Sequence, residues 1–290
     1  MCRLFGMHTG APAKATFWLL TAPDSLAQQS RREADGFGIG LFDAQGRPHV
    51  DKAPIAAYED VQFAAEAREL EGTPFVAHIR YASTGGDTLV NTHPFLQDNR
   101  LLAHNGVVED LGLLEDRLRQ LGVMDLVRGQ TDSERVFALI TGEARRNGGD
   151  LGGAISAALT WVAENLRLYA VNLIIAADGE LWAVRYPDTH PLYVLQVAGE
   201  EPHKGQHSVR ISVESEDLAR NRRPAVVIAT EKMDDNPNWR LMDSGEVLRV
   251  HSGLDMERSF PLPPQPSHPL TLADLDEHAA QSQQPLKASG

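Results

Sequence analysis

The sequence is poor in the residues that several common chemistries require. It has one cysteine in 290 residues, which excludes an internal disulfide and the cysteine-rich zinc sites. Its eleven histidines show no HExxH or HxH spacing, so no metal is expected. No apolar run approaches the ~18 residues needed to cross a bilayer. The opening MCRLFGMHTG lacks a basic stretch followed by an apolar core, so it does not read as a signal peptide, and a cytoplasmic protein is expected. Positive charge is also scarce: 27 Lys and Arg stand against 40 Asp and Glu, a net -13. A surface of that sign repels phosphate backbones and anionic lipid. Neither nucleic acid nor a membrane is therefore an expected partner. No internal repeat and no linker interrupts the chain.

What remains is an ordinary globular composition, with 42% apolar and 23% charged residues. Residues 2–10 read as a strand. FGIGLF (37–42) reads as a buried strand closed by a turn at Gly46. PFVAHIRYA (74–82) alternates, with Phe75, Ala77, Ile79 and Tyr81 on one face and Val76, His78 and Arg80 on the other. LLAHNGVV (101–108) is a further strand. Helices are predicted over 16–32 (broken near Pro23) and 58–70, and around Leu114, Leu118 and Leu121. Another covers 131–146, where Thr131 and Glu134 form a capping box, and a last one carries Ile155, Leu159, Val162 and Leu166. Beyond residue 170 the chain turns into short strands: VNLIIAAD, LWAVRY, LYVLQV, AVVIAT and EVLRVHS. Strands and helices fall in blocks rather than in βαβ alternation, so an α+β fold with large antiparallel sheets is favoured. One domain is expected over 1–260, with 261–290 a disordered tail holding at most one short helix.

The single cysteine is the second residue. A cysteine is usually a small buried hydrophobe, and packing alone would account for it. Removal of Met1, however, would leave the thiol and a free α-amine on one residue. An α-amine has a pKa of roughly 7.7–8.0, so it can take the thiol proton and generate a thiolate nucleophile.

Five further segments follow in order: ADGFGIG (34–40), HIRYAS (78–83), NTHPF (91–95), AHNG (103–106) and TDSE (131–134). Each is weak alone. Together, behind MCR, they closely resemble the class II glutamine amidotransferases, which are N-terminal-nucleophile hydrolases. The likeness extends to DDNPNWRLMDSGEVLRV (234–250). It is strongest to stand-alone members of the family, such as the γ-glutamyl amidohydrolase of ergothioneine synthesis. The resemblance implies a four-layer αββα sandwich of two antiparallel sheets, and no cofactor.

It also implies roles. Cys2 becomes the nucleophile, and Asn105 and Gly106 become the oxyanion hole. Arg80 would hold the substrate α-carboxylate, for which its planar fork is suited, and Asp132 would hold the α-ammonium. Tyr81, Ser83 and His93 would line the pocket, Ser83 near the carboxylate. Gly36 and Gly38, beside Asp35, would let the backbone pass close to Cys2. Plainer readings stand beside these. Asn-Gly is a strong hairpin-turn signal. An acid in the first turn of a helix is favoured by the dipole in any case. Arg80 could be a surface ion pair, and His93 and His104 could be structural.

The expected substrate is glutamine or a γ-glutamyl small molecule, hydrolysed through a thioester. A glutaminase subunit that passes ammonia to a separate synthetase, and a silent amino-acid-binding regulator, are the alternatives. An acylase for apolar substrates would give Arg80 and Asp132 nothing to bind.

Overall fold

The computed structural model describes residues 2–31, 35–58, 60–80, 86, 88–199 and 223–283. Alternating strands and striped helices organise them into four layers. The first sheet runs β13 (Arg240–Leu241), β11 (Tyr193–Val197), β12 (Ala225–Ala229), β1 (Arg3–His8), β6 (Phe75–Ile79), β3 (Phe37–Phe42), β4 (Pro48–Ala53). The second runs β15 (Met256–Ser259), β14 (Glu246–Val250), β10 (Glu180–Arg185), β9 (Arg167–Ala177), β8 (Arg100–Val108), β7 (Phe95–Gln97). All the pairings within these two paths are antiparallel. A small pair, β2 (Ala13–Lys14) with β5 (Glu71–Gly72), lies apart.

The faces of the strands define the layers. Leu4 and Val76 of the first sheet meet Leu101, Ala103, Ile174 and Leu181 of the second in one apolar layer between the sheets. The alternate residues of the first sheet, Phe5, Ile39, Phe75 and Ala77, pack with residues of α1 (Leu26–Gln29) and α2 (Val61–Glu69). The outer face of the second sheet, with Leu102, Leu173 and Val184, is covered by α3 (Leu111–Leu121), α4 (Asp132–Arg146) and α5 (Leu151–Asn165). This is the expected αββα sandwich. Strands buried on both faces explain the near-continuous apolar runs that the sequence shows in VNLIIAA and AVVIA.

One expectation changes. The segment after 260 is not a loose tail as far as it is described. β16 (His268–Pro269) adds in parallel to the start of β9, and α6 (Glu277–Gln283) buries Ala279 beside Leu270 and Leu275. Its proline-rich opening hides the apolar residues that anchor it. The helical stretch predicted over 16–32 breaks near Pro23 as expected, into a short π-turn, Phe17–Thr21, and α1.

Candidate active site

The first sheet brings Cys2 and Arg80 to the same end of the sandwich. β1 and β6 pair with Arg3 opposite Ile79 and Leu4 opposite His78, so one step further sets Cys2 across from Arg80. Both are buried. β6 continues its ladder through the Arg80 amide, which donates to the Gly36 carbonyl at 2.8 Å. Arg3, fully buried beside the nucleophile candidate, is held by Glu231 at 2.9 Å.

The second sheet supplies the facing wall. Asn105 and Gly106 lie inside β8, opposite Asn172 and Val171. They are not a hairpin turn, so that reading of Asn-Gly falls. The Val108 amide points off the β8–β9 ladder and donates to the Asp132 carboxylate at 2.9 Å. Alternation along the strand aims the Gly106 N–H the same way. Gly106 must lack a side chain, because a Cβ there would overlap the Ala170 carbonyl and meet His104 Nε2 at 2.9 Å. The Asn105 side chain is buried, and its amide oxygen and nitrogen find no hydrogen-bond partner among the described residues.

Helix α4 delivers Asp132. Thr131 caps it by accepting the Glu134 amide at 3.2 Å. The reciprocal half of the expected capping box is absent. Glu134 turns back to accept the amides of Arg128 at 3.0 Å and Gly129 at 2.6 Å. Asp132 Oδ1 also accepts the Ser133 amide at 2.9 Å.

Cys2, Arg80, His93, Gly106 and Asp132 line one small cavity, together with His78, Asn91, His104, Thr131 and Ser133. Asn105 adjoins Gly106 but is not part of that lining. Tyr81 and Ser83 lie outside the described residues. The glycines of the ADGFGIG segment serve a different approach from the one expected. A Cβ on Gly38 would overlap the His93 carbonyl and press Pro94 and Lys52 at 2.9 Å, and one on Gly36 would meet the Ala53 carbonyl at 3.1 Å. They seat the NTHPF segment rather than clear space at Cys2.

Sequence reasoning passed over His78 and Asn91. Asn91 Oδ1 accepts the Gln130 amide at 2.8 Å, and its Nδ2 donates to the Gly86 carbonyl at 3.1 Å. It thus ties NTHPF to the loop before α4. Its place at the head of that motif was the available signal. His78 had a signal too, because it shares the Arg80 face of β6 and sits two residues away.

Three buried imidazoles, His78, His93 and His104, line the cavity. Burial pushes His78 down to about 3, with Arg80 and His104 adding to the effect. Burial also holds His93 well below its usual value, with help from its neighbour His78. Their rings lie 4.2 Å apart, a distance at which two charges would repel strongly. His104 is lowered by burial as well. Its Nδ1 lies 2.8 Å from Ser133 Oγ and its Nε2 3.5 Å from the Ala170 carbonyl. The consistent assignment has Nε2–H facing that carbonyl and Nδ1 accepting from the serine. No group of three or more His, Cys, Asp or Glu that could hold a metal ion occurs among the described residues.

The arrangement therefore sets a thiol, a guanidinium, a carboxylate and the Gly106 backbone around one small polar space. Comparison with known proteins is consistent with this. The family model for class-II glutamine amidotransferases matches residues 1–270. A Haemophilus influenzae protein provisionally named a glutamine amidotransferase is 25% identical over 269 residues, covering 87% of this chain and 85% of that protein. The amidophosphoribosyltransferase of Synechocystis is 32% identical over 206 residues, covering 69% of this chain but 39% of its own. Among solved structures, a glutamine aminotransferase class-II domain protein from Silicibacter pomeroyi superposes with a TM-score of 0.59 at 18% identity, covering 90% of this chain and all (100%) of that one. The chain belongs to the class-II glutamine amidotransferases.

Proposed function

We propose that this protein hydrolyses the γ-amide of glutamine or of a γ-glutamyl compound, with Cys2 as the nucleophile once Met1 is removed. One observation carries the reading. The cavity that holds Cys2 also holds a guanidinium, Arg80, and a carboxylate, Asp132. Those are the two charges that an α-amino acid head group requires. A simple acyl substrate carries no group complementary to either charge.

The steps follow from the groups present. The Cys2 α-amine takes the thiol proton, and Sγ adds to the γ-carbonyl carbon. The negative charge that develops on oxygen is met by the Gly106 N–H and the Asn105 amide; one such donor is typically worth about 10²–10³ in rate. The C–N bond then breaks, and the leaving nitrogen takes the proton held by the α-amine. Water adds to the thioester, gives its proton back through the α-amine, and releases glutamate and the free thiol.

The experiment is to measure glutamate release from glutamine and from a set of γ-glutamyl amines, with the purified chain and with Cys2→Ala. Turnover by the first and none by the second supports the reading. Binding of glutamine without turnover by either would move the protein to the amino-acid-binding class. Slow glutamine turnover with no faster γ-glutamyl amine would favour a glutaminase that serves a separate synthetase.

A further inference from the structure

The pairing of β8 with β9 slips just beyond Gly106. Val107 pairs with Ala170, but Val108 pairs with Leu168, which leaves Tyr169 as an extra residue in a bulge. The Ala170 carbonyl lies beneath Gly106 and beside His104 Nε2. The bulge thus shapes the floor under the backbone amide assigned above to the oxyanion. A bulge gives up ladder pairing, so something else must hold it.

The C-terminal segment does so. Leu270 extends the β16 pairing by donating to the Leu168 carbonyl at 2.8 Å. Leu270, Leu275 and Ala279 then form one apolar cluster with Val107, Tyr169 and Ala170. The end of the segment is polar and buried. Gln283 Oε1 lies 2.7 Å from His190 Nε2, and Gln283 Nε2 donates to Ser282 Oγ at 2.8 Å. The amide oxygen can only accept, so His190 Nε2 carries the proton. His190 in turn sets its ring edge-on to Tyr169 at 5.2 Å. Thr189 donates to the Tyr169 carbonyl at 2.6 Å, and the His190 carbonyl accepts from Arg185 at 2.8 Å. Asn172, directly across from Asn105, donates to the Pro191 carbonyl at 3.2 Å. The bulge is gripped from one side by the strap and from the other by the loop before β11, and Gln283 joins the two.

We infer that residues 268–283 are a positioning strap for the oxyanion strand, latched by Gln283 on His190, and that this latch sets the aim of the Gly106 amide. The inference rests on the oxyanion role proposed for Gly106. The strap touches the floor of the site and not the groups that would hold the substrate head. Loosening it therefore weakens stabilisation of the transition state while ground-state binding persists.

The test compares full-length protein with Gln283→Ala, Gln283→Glu and a chain ending at residue 267. Glutaminase kinetics and backbone hydrogen exchange are read on each, and a thermal melt shows which variants are folded. Gln283→Ala is expected to lower kcat about tenfold with KM within about twofold, since a misaimed group of this kind can cost up to 10²-fold. Gln283→Glu keeps an acceptor at the same reach and is expected to restore kcat to near the parent. Exchange at residues 106–108 and 168–171 rises in Gln283→Ala and in the truncated chain. Unchanged exchange at those amides in Gln283→Ala overturns the strap, whatever the activity. Faster exchange there with kcat unchanged overturns its effect on the oxyanion strand. If the parent has no turnover at all, the exchange data still decide the strap, and it is the functional reading that fails.

Discussion

The Asp132 carboxylate accepts the Val108 amide at 2.9 Å. This bond fastens the first turn of α4 to the end of the strand that carries Asn105 and Gly106. The residue proposed to hold the substrate ammonium thus also fixes the spacing between α4 and the strand of the proposed oxyanion donors. Asp132→Asn separates the two duties, because its amide oxygen can still accept from Val108 while its charge is gone. The expected outcome is a folded protein, destabilised by about 1 kcal/mol, with KM for glutamine raised at least tenfold. Equal KM in steady-state assays would remove the ammonium role.

Arg80→Lys keeps the charge but loses the two-pronged geometry that matches a carboxylate. KM for glutamine is expected to rise sharply, and the effect to shrink for an analogue lacking the α-carboxylate. A KM that stays within twofold would show that the head group is held elsewhere.

Gly106→Ala places a methyl group against the Ala170 carbonyl. Overpacking of this kind costs about 1–3 kcal/mol, and the shift it forces moves the proposed oxyanion donor. A melting point lowered by several degrees and a large loss of kcat are expected. Gly38→Ala collides instead with the His93 carbonyl and is expected to destabilise comparably, read in the same thermal melt. A Gly106→Ala protein with parental stability and turnover would mean that the strand is not held as described.

Acid should weaken the fold through the buried histidines. Burial lowers His78 to about 3 and His190 to about 4 in the folded state, whereas an unfolded histidine titrates near 6.5. Between those values the unfolded chain binds the proton and the folded one does not. Stability is therefore fully present above about 6.5 and falls as the pH drops toward 4, by roughly 1 kcal/mol per pH unit for each such imidazole. Urea midpoints measured from pH 7.5 to 4.5 should decline steadily, and His78→Gln should flatten the slope. A midpoint independent of pH over that range would contradict neutral buried imidazoles.

Much of this was legible in the sequence. Apolar runs and alternation located the central strands, because a strand buried on both faces leaves a strong local pattern. The order of HIRYAS, NTHPF, AHNG and TDSE named most of the residues that line the cavity. What failed to show was non-local. Whether Asn-Gly turns or continues depends on the partner β9, which lies more than sixty residues further on. Glu134 left its capping box because two amides at 128 and 129 offered a better use of its carboxylate. The strap was read as disordered because its few anchors, Leu270, Leu275 and Ala279, are spaced too widely among polar residues to show a period. Its Gln283 gains meaning only against a histidine 93 residues away.

The central claim is that Cys2 is a nucleophile in a glutamine-shaped pocket. The direct measurement is the intact mass of the purified protein after incubation with 6-diazo-5-oxo-norleucine, a reactive glutamine mimic, followed by peptide mapping. The expected result is a chain lacking Met1 that gains one adduct on Cys2, with glutamine protecting against the reaction. A chain lacking Met1 that stays unmodified under the same conditions would contradict it.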